Sequence, residues 1–495
     1  MSSSGHRNLR YDVVIIGSGM SGLTAALTLA QNGLKVAVVE SCEHMAPLLR
    51  RFKRGNVWCD PGFHYSGGFE KSGALSVIFR YLGMRDKIQS IPMKRNCYDE
   101  LIIGNKTISL ASGFEGVRDS LSSSYPDDKK AIHAYIEKIQ KIMDVTPFIN
   151  FDLTFAEFSK FADMDSSLYD FLDSVQASRE LKSLLGQYGQ FLYGSPGNEV
   201  PFYFHALIMG TFYKSPQTLS MGGDSIVDAF QSRLEAEGVD LFFNTPATAL
   251  KVDDKRHLKG VIISDKKLLE TEYCIFTAHP QLLEGILPEK AVRPAYRSRL
   301  RDMENTTSMF TLYLELDEIP ERLHHTNVYK LSEGADDAEH KASIAIMSCD
   351  PVRYENKRKG LCILISDHSS NFKSIPYGGK KRTDQYRAYK KKMTKKTLEI
   401  LLDFYPELAG KYRLVAGATP FTYERYTQTP EGTAYGIKQS VKQMKLGPVT
   451  SVVGLYLAGQ SILMPGVMGA AISGLIGASN IIGMEKLWTE VKKWR

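Results

Sequence analysis

"YDVVIIGSGMSGLTAALTLAQNGLKVAVVES", residues 11–41, decides the fold of this chain. Val13 to Ile16 is an unbroken apolar run, as expected of a strand buried on both faces of a parallel sheet. Gly17, Gly19 and Gly22 follow as GxGxxG. The first permits a tight turn, the second lets backbone approach a pyrophosphate, and the third lets a helix pack on the strand. Leu23, Leu27 and Ala30 then recur at helical spacing, and the N-terminus of that helix offers amides and a positive dipole end to phosphates. "KVAVVE" is a second strand, and Glu40 at its end falls about 20 residues after the glycines, where a carboxylate can hold ribose hydroxyls. A lone GxGxxG is weak evidence. Here strand, helix, second strand and acid stand at the right offsets, so the segment reads as a dinucleotide site. An acid in that place suits the unphosphorylated ribose of FAD or NAD and argues against NADP.

Two further segments favour FAD. A nicotinamide fold should continue as alternating strands and helices, but the chain runs instead through "RRFKRGNVWCDPGFHYSGGF", rich in turn formers and aromatics, with helical patterns from about Asp127 to Gln187. Far downstream, residues 219–280 read as a glycine turn (Gly222, Gly223), a helix (Ser225 to Glu237), a strand (Val239 to Asn244) and a hairpin ending in "YCIFTA". A third block, "GLYLAGQSILMPGVMGAAISGLIGAS", closes the set.

The bulk properties exclude other classes. A chain of 495 residues has room for two or three domains, and 43% hydrophobic with 24% charged residues is ordinary for a globular protein. The net charge of +7 is mildly basic and concentrates in "RYENKRKG" and "KKRTDQYRAYKKKMTKK", runs that read as a solvated face, with an anionic membrane surface or acidic partner as the alternative. No zinc spacing, RNP-like motif or basic zipper points to nucleic acid. Six cysteines without a CxxC pair fit reduced thiols, and the ten residues before the first strand leave no room for a cleavable secretory signal. The expectation is a cytoplasmic protein, or one peripheral on a membrane.

With these segments in view, the chain resembles the flavin amine oxidase-like oxidoreductases, and within them the phytoene desaturase, carotenoid isomerase and retinol saturase branch. "GSGMSGLTAALTLA…VVE", "CDPGFHYSGG", "PFYFHALIMGTFY…MGGDSIVDAF" and "GTAYGI…GLYLAGQSILMPGVMGAAISGLIGA" carry the resemblance. It implies an α/β fold: a discontinuous Rossmann-type FAD domain from residues 1–95, 205–290 and 436–495, with a substrate domain of antiparallel sheet and helices from 96–204 and 291–435. By the same resemblance Gly17, Ser18, Gly19, Met20, Ser21 and Gly22 hold the ADP half with Glu40 and Ser41, and Ala247 meets the adenine. Gly459 and Gln460 approach the pyrophosphate and ribityl chain, and Gly466, Val467 and Met468 lie at the pyrimidine edge of the flavin. Family members usually carry a Gly-Gly-x turn with an Arg after the ribose acid; this chain has "HMAPLLRRFKRG", where Arg50 or Arg51 can supply the charge.

Flavin enzymes bring their chemistry with the cofactor, so the protein supplies orientation, electrostatics and access. In "DPGFHYSGG", His64 and Tyr65 are able to exchange a proton, and the paired glycines let backbone pass a ligand closely. His64 reads equally as a histidine satisfied inside a packed turn. His205, amid the aromatics of "PFYFHALIMG", is either a helix-packing residue or a wall of the substrate cavity, and Tyr435 in "GTAYGI" carries the same two readings. No metal-ligand spacing is apparent.

The resulting expectation is an FAD enzyme acting on C=C bonds of an apolar conjugated substrate, by saturation or isomerisation. Desaturation and amine oxidation are alternatives within the class. A GDP dissociation inhibitor-like lipid carrier is the non-enzymatic rival. The apolar run from Leu455 to Ala478 has the length of a membrane span, but Pro465-Gly466 interrupts it, leaving a helix of about 16 residues, roughly 24 Å. It therefore reads as the floor of a flavin site. The tail "MEKLWTEVKKWR" mixes Leu487 and two tryptophans with lysines as an interfacial helix does, and reads equally as an ordinary terminal surface helix.

Overall fold

The computed structural model describes residues 9–159, 166–332, 343–349, 359–379, 381–443 and 445–495. Five parallel strands form one sheet, in the order Asp240–Phe242, Val36–Val39, Val13–Ile16, Tyr273–Phe276, Leu455–Leu457. Alternate residues of the central strand serve two cores. Val13 and Ile15 pack beneath the helices Met20–Gln31 and Gly466–Ile482, while Val14 and Ile16 meet a four-stranded sheet built around Leu258–Ile263. Burial on both faces is why these strands are apolar runs rather than alternating ones. The helix Met20–Gln31 is buried almost throughout, since Gly474 of the second helix lets the two backbones meet. A Cβ there would lie 2.4 Å from the Ser21 carbonyl oxygen.

A second sheet has seven strands and is mostly antiparallel, drawing Asp99–Ile103 and Lys106–Leu110 from one part of the chain and the rest from residues 308–418. One of its two nine-residue strands, Ser308–Leu316, is buried at every position. Phe310, Leu312 and Leu314 face the helix Asp384–Phe404, and Met309 and Tyr313 face the opposite side. Period-two alternation thus sends Met309, Tyr329, Met347 and Leu364 to the face that overlooks the first sheet. On the helix Asp384–Phe404, Tyr386, Tyr389, Met393 and Leu401 point inward while Lys391, Lys392 and Lys395 are exposed, the solvated face expected of that basic run. Most of "RYENKRKG" lies outside the described residues.

The tail does not present an apolar face to its surroundings. The helix Met484–Lys492 buries Leu487, Trp488 and Val491, and Trp488 stacks on Phe151 at 5.6 Å with Phe148 and Phe158 edge-on at 5.2 and 4.7 Å. The interfacial reading of the helix is corrected: Leu487, Trp488 and Val491 complete an aromatic core, and of the tail's large apolar side chains only Trp494 is exposed. Among the described residues no helix is long and apolar enough to cross a membrane.

Candidate active site

The carboxyl ends of the parallel strands open onto a cavity of about 590 Å³. At its floor, Ile16 leads into Gly17, whose φ of +103° turns the chain; a Cβ here would crowd Thr277 Oγ1 at 2.8 Å. Thr277 Oγ1 donates to the carbonyls of Ile16 and Gly17 at 2.9 and 3.1 Å, fixing the turn from the neighbouring strand. Gly22 is required from beneath, because a Cβ would lie 2.0 Å from the Gly17 oxygen. Gly19 differs: a Cβ would meet nothing within 4 Å, since the residue borders the open cavity. Met20 and Ser21 share that wall, whereas Ser18 is fully buried behind it.

Glu40 is held at the end of its strand by four donors. Ser18 N and Oγ reach its Oε2 at 2.8 and 2.6 Å, and Cys42 N and Ser41 Oγ reach Oε1 at 2.8 and 3.2 Å. Glu40, Ser41 and Ala247 all line the same cavity. From the other side come Gly459, Gln460 and the first turn of the second helix, Gly466, Val467 and Met468. Gly459 N donates to Ser473 Oγ at 2.8 Å, tying its loop to the second helix, and Ser21 Oγ donates to the Ala470 carbonyl at 2.7 Å, joining the two helices. Neither helix has a side-chain cap at its N-terminus. Two sets of leading amides and two positive dipole ends therefore converge on one space, as a bound diphosphate and an electron-accepting ring require. Gly19's open side and this pair of uncapped helices fit a flavin dinucleotide.

His64 and Tyr65 line the cavity too. Burial lowers the pKa of His64 to about 4, so the ring is neutral at physiological pH, and its Nε2 has no hydrogen-bond partner among the described residues. Tyr65 is tied into a cluster absent from the sequence reading. Its hydroxyl donates to Asp99 Oδ2 at 2.5 Å and bonds the Tyr329 hydroxyl at 2.9 Å. Tyr188 also donates to Oδ2, at 2.5 Å, and Asn327 Nδ2 to Oδ1 at 2.8 Å. Burial of Asp99 pushes its pKa up to about 6 against the opposing effect of these three donors. Tyr329 faces the cavity beside Tyr65.

Three expectations change. Gly67 does not serve a ligand; a Cβ there would lie 2.1 Å from the Thr211 carbonyl oxygen, so the glycine admits the helix Phe202–Lys214. Arg51 stands away from the cavity, its side chain 1% exposed and its Nε 3.0 Å from Asp224 Oδ2. Arg50 is engaged with Asp228 at 2.6 Å. His205 is likewise interior: Tyr135 and Tyr193 bond its two ring nitrogens at 2.6 and 2.9 Å, and burial lowers its pKa to about 3. It packs the helices. Tyr435 does line the cavity, with its hydroxyl donating to the Phe191 carbonyl at 2.7 Å.

A parallel sheet with a glycine turn, a ribose acid and a second helix aimed at one cavity defines a dinucleotide-binding oxidoreductase fold. The chain belongs to the flavin-containing amine oxidoreductase family, which it matches from residue 20 to 482, and its cofactor is FAD. It is 23% identical over 525 residues to the all-trans-retinol 13,14-reductase of Danio rerio, covering 95% of this chain and 86% of that one. A prolycopene isomerase of Daucus carota is 28% identical over 139 residues, 28% of this chain and 22% of that protein. An oxidoreductase of Methanosarcina mazei shares the fold with a TM-score of 0.69 at 16% identity, over 94% of this chain and 99% of its own.

Proposed function

We propose that this protein reduces or isomerises a carbon–carbon double bond in a neutral conjugated polyene of the retinoid or carotenoid type. One observation carries the reading beyond the likeness to the retinol reductases and prolycopene isomerases. Among the described residues, Glu40 is the only formally charged side chain on the cavity wall, and it sits at the ribose end. The walls beside Tyr65 are built from Met309, Tyr329, Met347, Leu364, Phe212 and Tyr435. A protonated amine placed there would lose its hydration with no carboxylate to replace it, whereas a flat apolar chain loses nothing.

Bound FAD supplies hydride exchange at its N5. The chain's own residues do the rest. The amides of Gly19, Met20 and Ser21 would receive the pyrophosphate with Gly22 packed beneath, since those of Gly17 and Ser18 are engaged by Val39 and Glu40; Glu40 and Ser41 would hold the ribose, and Ala247 would abut the adenine. Gly459 and Gln460 would border the ribityl chain, and the amides of Gly466, Val467 and Met468 would meet the flavin pyrimidine and stabilise negative charge there. Tyr65 delivers the proton, and neutral His64 shapes the wall. Residues 1–95, 205–290 and 436–495 form the cofactor unit, and 96–204 with 291–435 the substrate unit. We place the protein in the cytoplasm, drawing substrate from membranes by peripheral contact through the lysine-bearing face of Asp384–Phe404.

Anaerobic reduction of the FAD-loaded protein followed by mixing with all-trans-retinol, a carotene and a primary amine tests this. A polyene should restore oxidised flavin absorbance, and the amine should leave oxidised protein unchanged. Reduction of the oxidised protein by the amine, with no polyene effective, would sink the proposal.

A further inference from the structure

Asp99 is fully buried, lies behind the cavity wall, and accepts hydrogen bonds from Tyr65, Tyr188 and Asn327. Tyr98, Tyr213, Tyr329 and Cys97 complete its surroundings, and no cationic side chain among the described residues bears on it. A carboxyl group held that way is neither a structural ion pair nor a solvated charge. Its three donors come from three separate parts of the chain, and two of the phenols around it, Tyr65 and Tyr329, open on the cavity.

The hydrogen count of this cluster is decisive. Each phenol owns one proton. While Asp99 is a carboxylate it can only accept, so the Tyr65 proton is committed to it, and the Tyr329 proton is committed in turn to the Tyr65 oxygen. No phenolic O–H is then left for the cavity. One proton added to Asp99 reverses the chain: the carboxyl donates to the Tyr65 oxygen, and the phenol protons turn outward.

We propose that Asp99 gates proton delivery to the substrate cavity, its protonated carboxyl turning the Tyr65–Tyr329 pair into a donor facing the reacting double bond. This rests on the polyene reading above. In the reduction, bound reduced FAD would supply the hydride that bonds to one alkene carbon. The π electron pair forms a C–H bond on the neighbouring carbon with the Tyr65 proton as that O–H bond breaks. The proton on Asp99 passes to the Tyr65 oxygen, leaving a carboxylate, which takes a proton from solvent before the next turnover. Tyr65 is the donor, and Asp99 is a positioning residue acting through it. The unprotonated form cannot work this way, because removing the Tyr65 proton would set a phenolate against a carboxylate in a buried site.

Two readouts test the gate. Infrared difference spectra of the oxidised FAD-loaded protein between about pH 5 and pH 8 should show a protonated-carboxyl band that grows as pH falls and is missing in Asp99→Asn. In stopped flow, the rate at which all-trans-retinol reoxidises the reduced protein should fall about tenfold per pH unit above a single break near the Asp99 pKa. That break should vanish in Asp99→Asn and move to higher pH in Tyr188→Phe, which removes one donor to the carboxylate; Tyr188→Phe serves alone if Asp99→Asn does not fold. Tyr65→Phe should keep the infrared band and slow reoxidation about 10²-fold or more. A band that survives in Asp99→Asn, or a break unmoved by either change at Asp99 or Tyr188, overturns the gate. If retinol reoxidises the protein at no pH, the substrate reading fails, while the infrared band, which needs no substrate, still decides whether Asp99 holds the proton.

Discussion

Gly19 and Gly22 stand three residues apart in one turn and have opposite reasons to lack a side chain. A Cβ on Gly22 would strike the Gly17 oxygen at 2.0 Å, whereas one on Gly19 would enter open space. Gly22→Ala should therefore destabilise the folded chain by about 1–3 kcal/mol, measured by denaturant unfolding without flavin. Gly19→Val should leave that stability within ~1 kcal/mol and abolish flavin binding, read from the absorbance of the purified protein. Equal loss of stability in both would contradict this division. The glycine turn was legible in sequence because its strand, helix, second strand and acid all lie between Val13 and Glu40, although the Thr277 that braces it does not. Asp99 was not, since what makes it unusual comes from Tyr65, Tyr188 and Asn327, joined to it only by folding. Arg51 was misread for the same reason: its charge is met by Asp224, 173 residues away.

Among the elements, the tail helix shows how amphipathic patterning can mislead. A Trp and Leu stripe among lysines serves a bilayer or a protein core equally well, and here Phe148, Phe151 and Phe158 provide the core. Trp488→Ala should cost about 3–5 kcal/mol in lipid-free solution, read from denaturant midpoints, and leave flotation with anionic liposomes unchanged. A stability unchanged without lipid would restore the interfacial reading. The helix Phe202–Lys214 misled in the other direction: it is buried nearly all round, so periodicity could not say which side His205 faced. By contrast, the strand at Leu455–Leu457 and the helix beginning at Gly466 were legible because Pro465-Gly466 breaks the apolar run.

At the scale of the whole molecule, the cavity is roofed by one sheet and floored by another, so whatever fills it ties two separately built layers together. Flavin at a hundredfold excess over its Kd should stabilise the fold by about 2.7 kcal/mol, and removing it should lower Tm by several degrees in thermal scans at graded FAD concentrations. A Tm independent of FAD would show that the cavity walls hold without it. The site floor also has a history in time. Its strand Tyr273–Phe276 pairs with Val13–Ile16 on one side and with Leu455–Leu457 on the other, so a sheet begun early is finished by a segment made much later. On the ribosome the nascent sheet keeps an open edge beside Tyr273–Phe276 until Leu455–Leu457 has been made. A product that stopped before Leu455 would lack that strand, the second helix and half the cofactor cradle, so cofactor capture acts as a check that synthesis has passed this stretch.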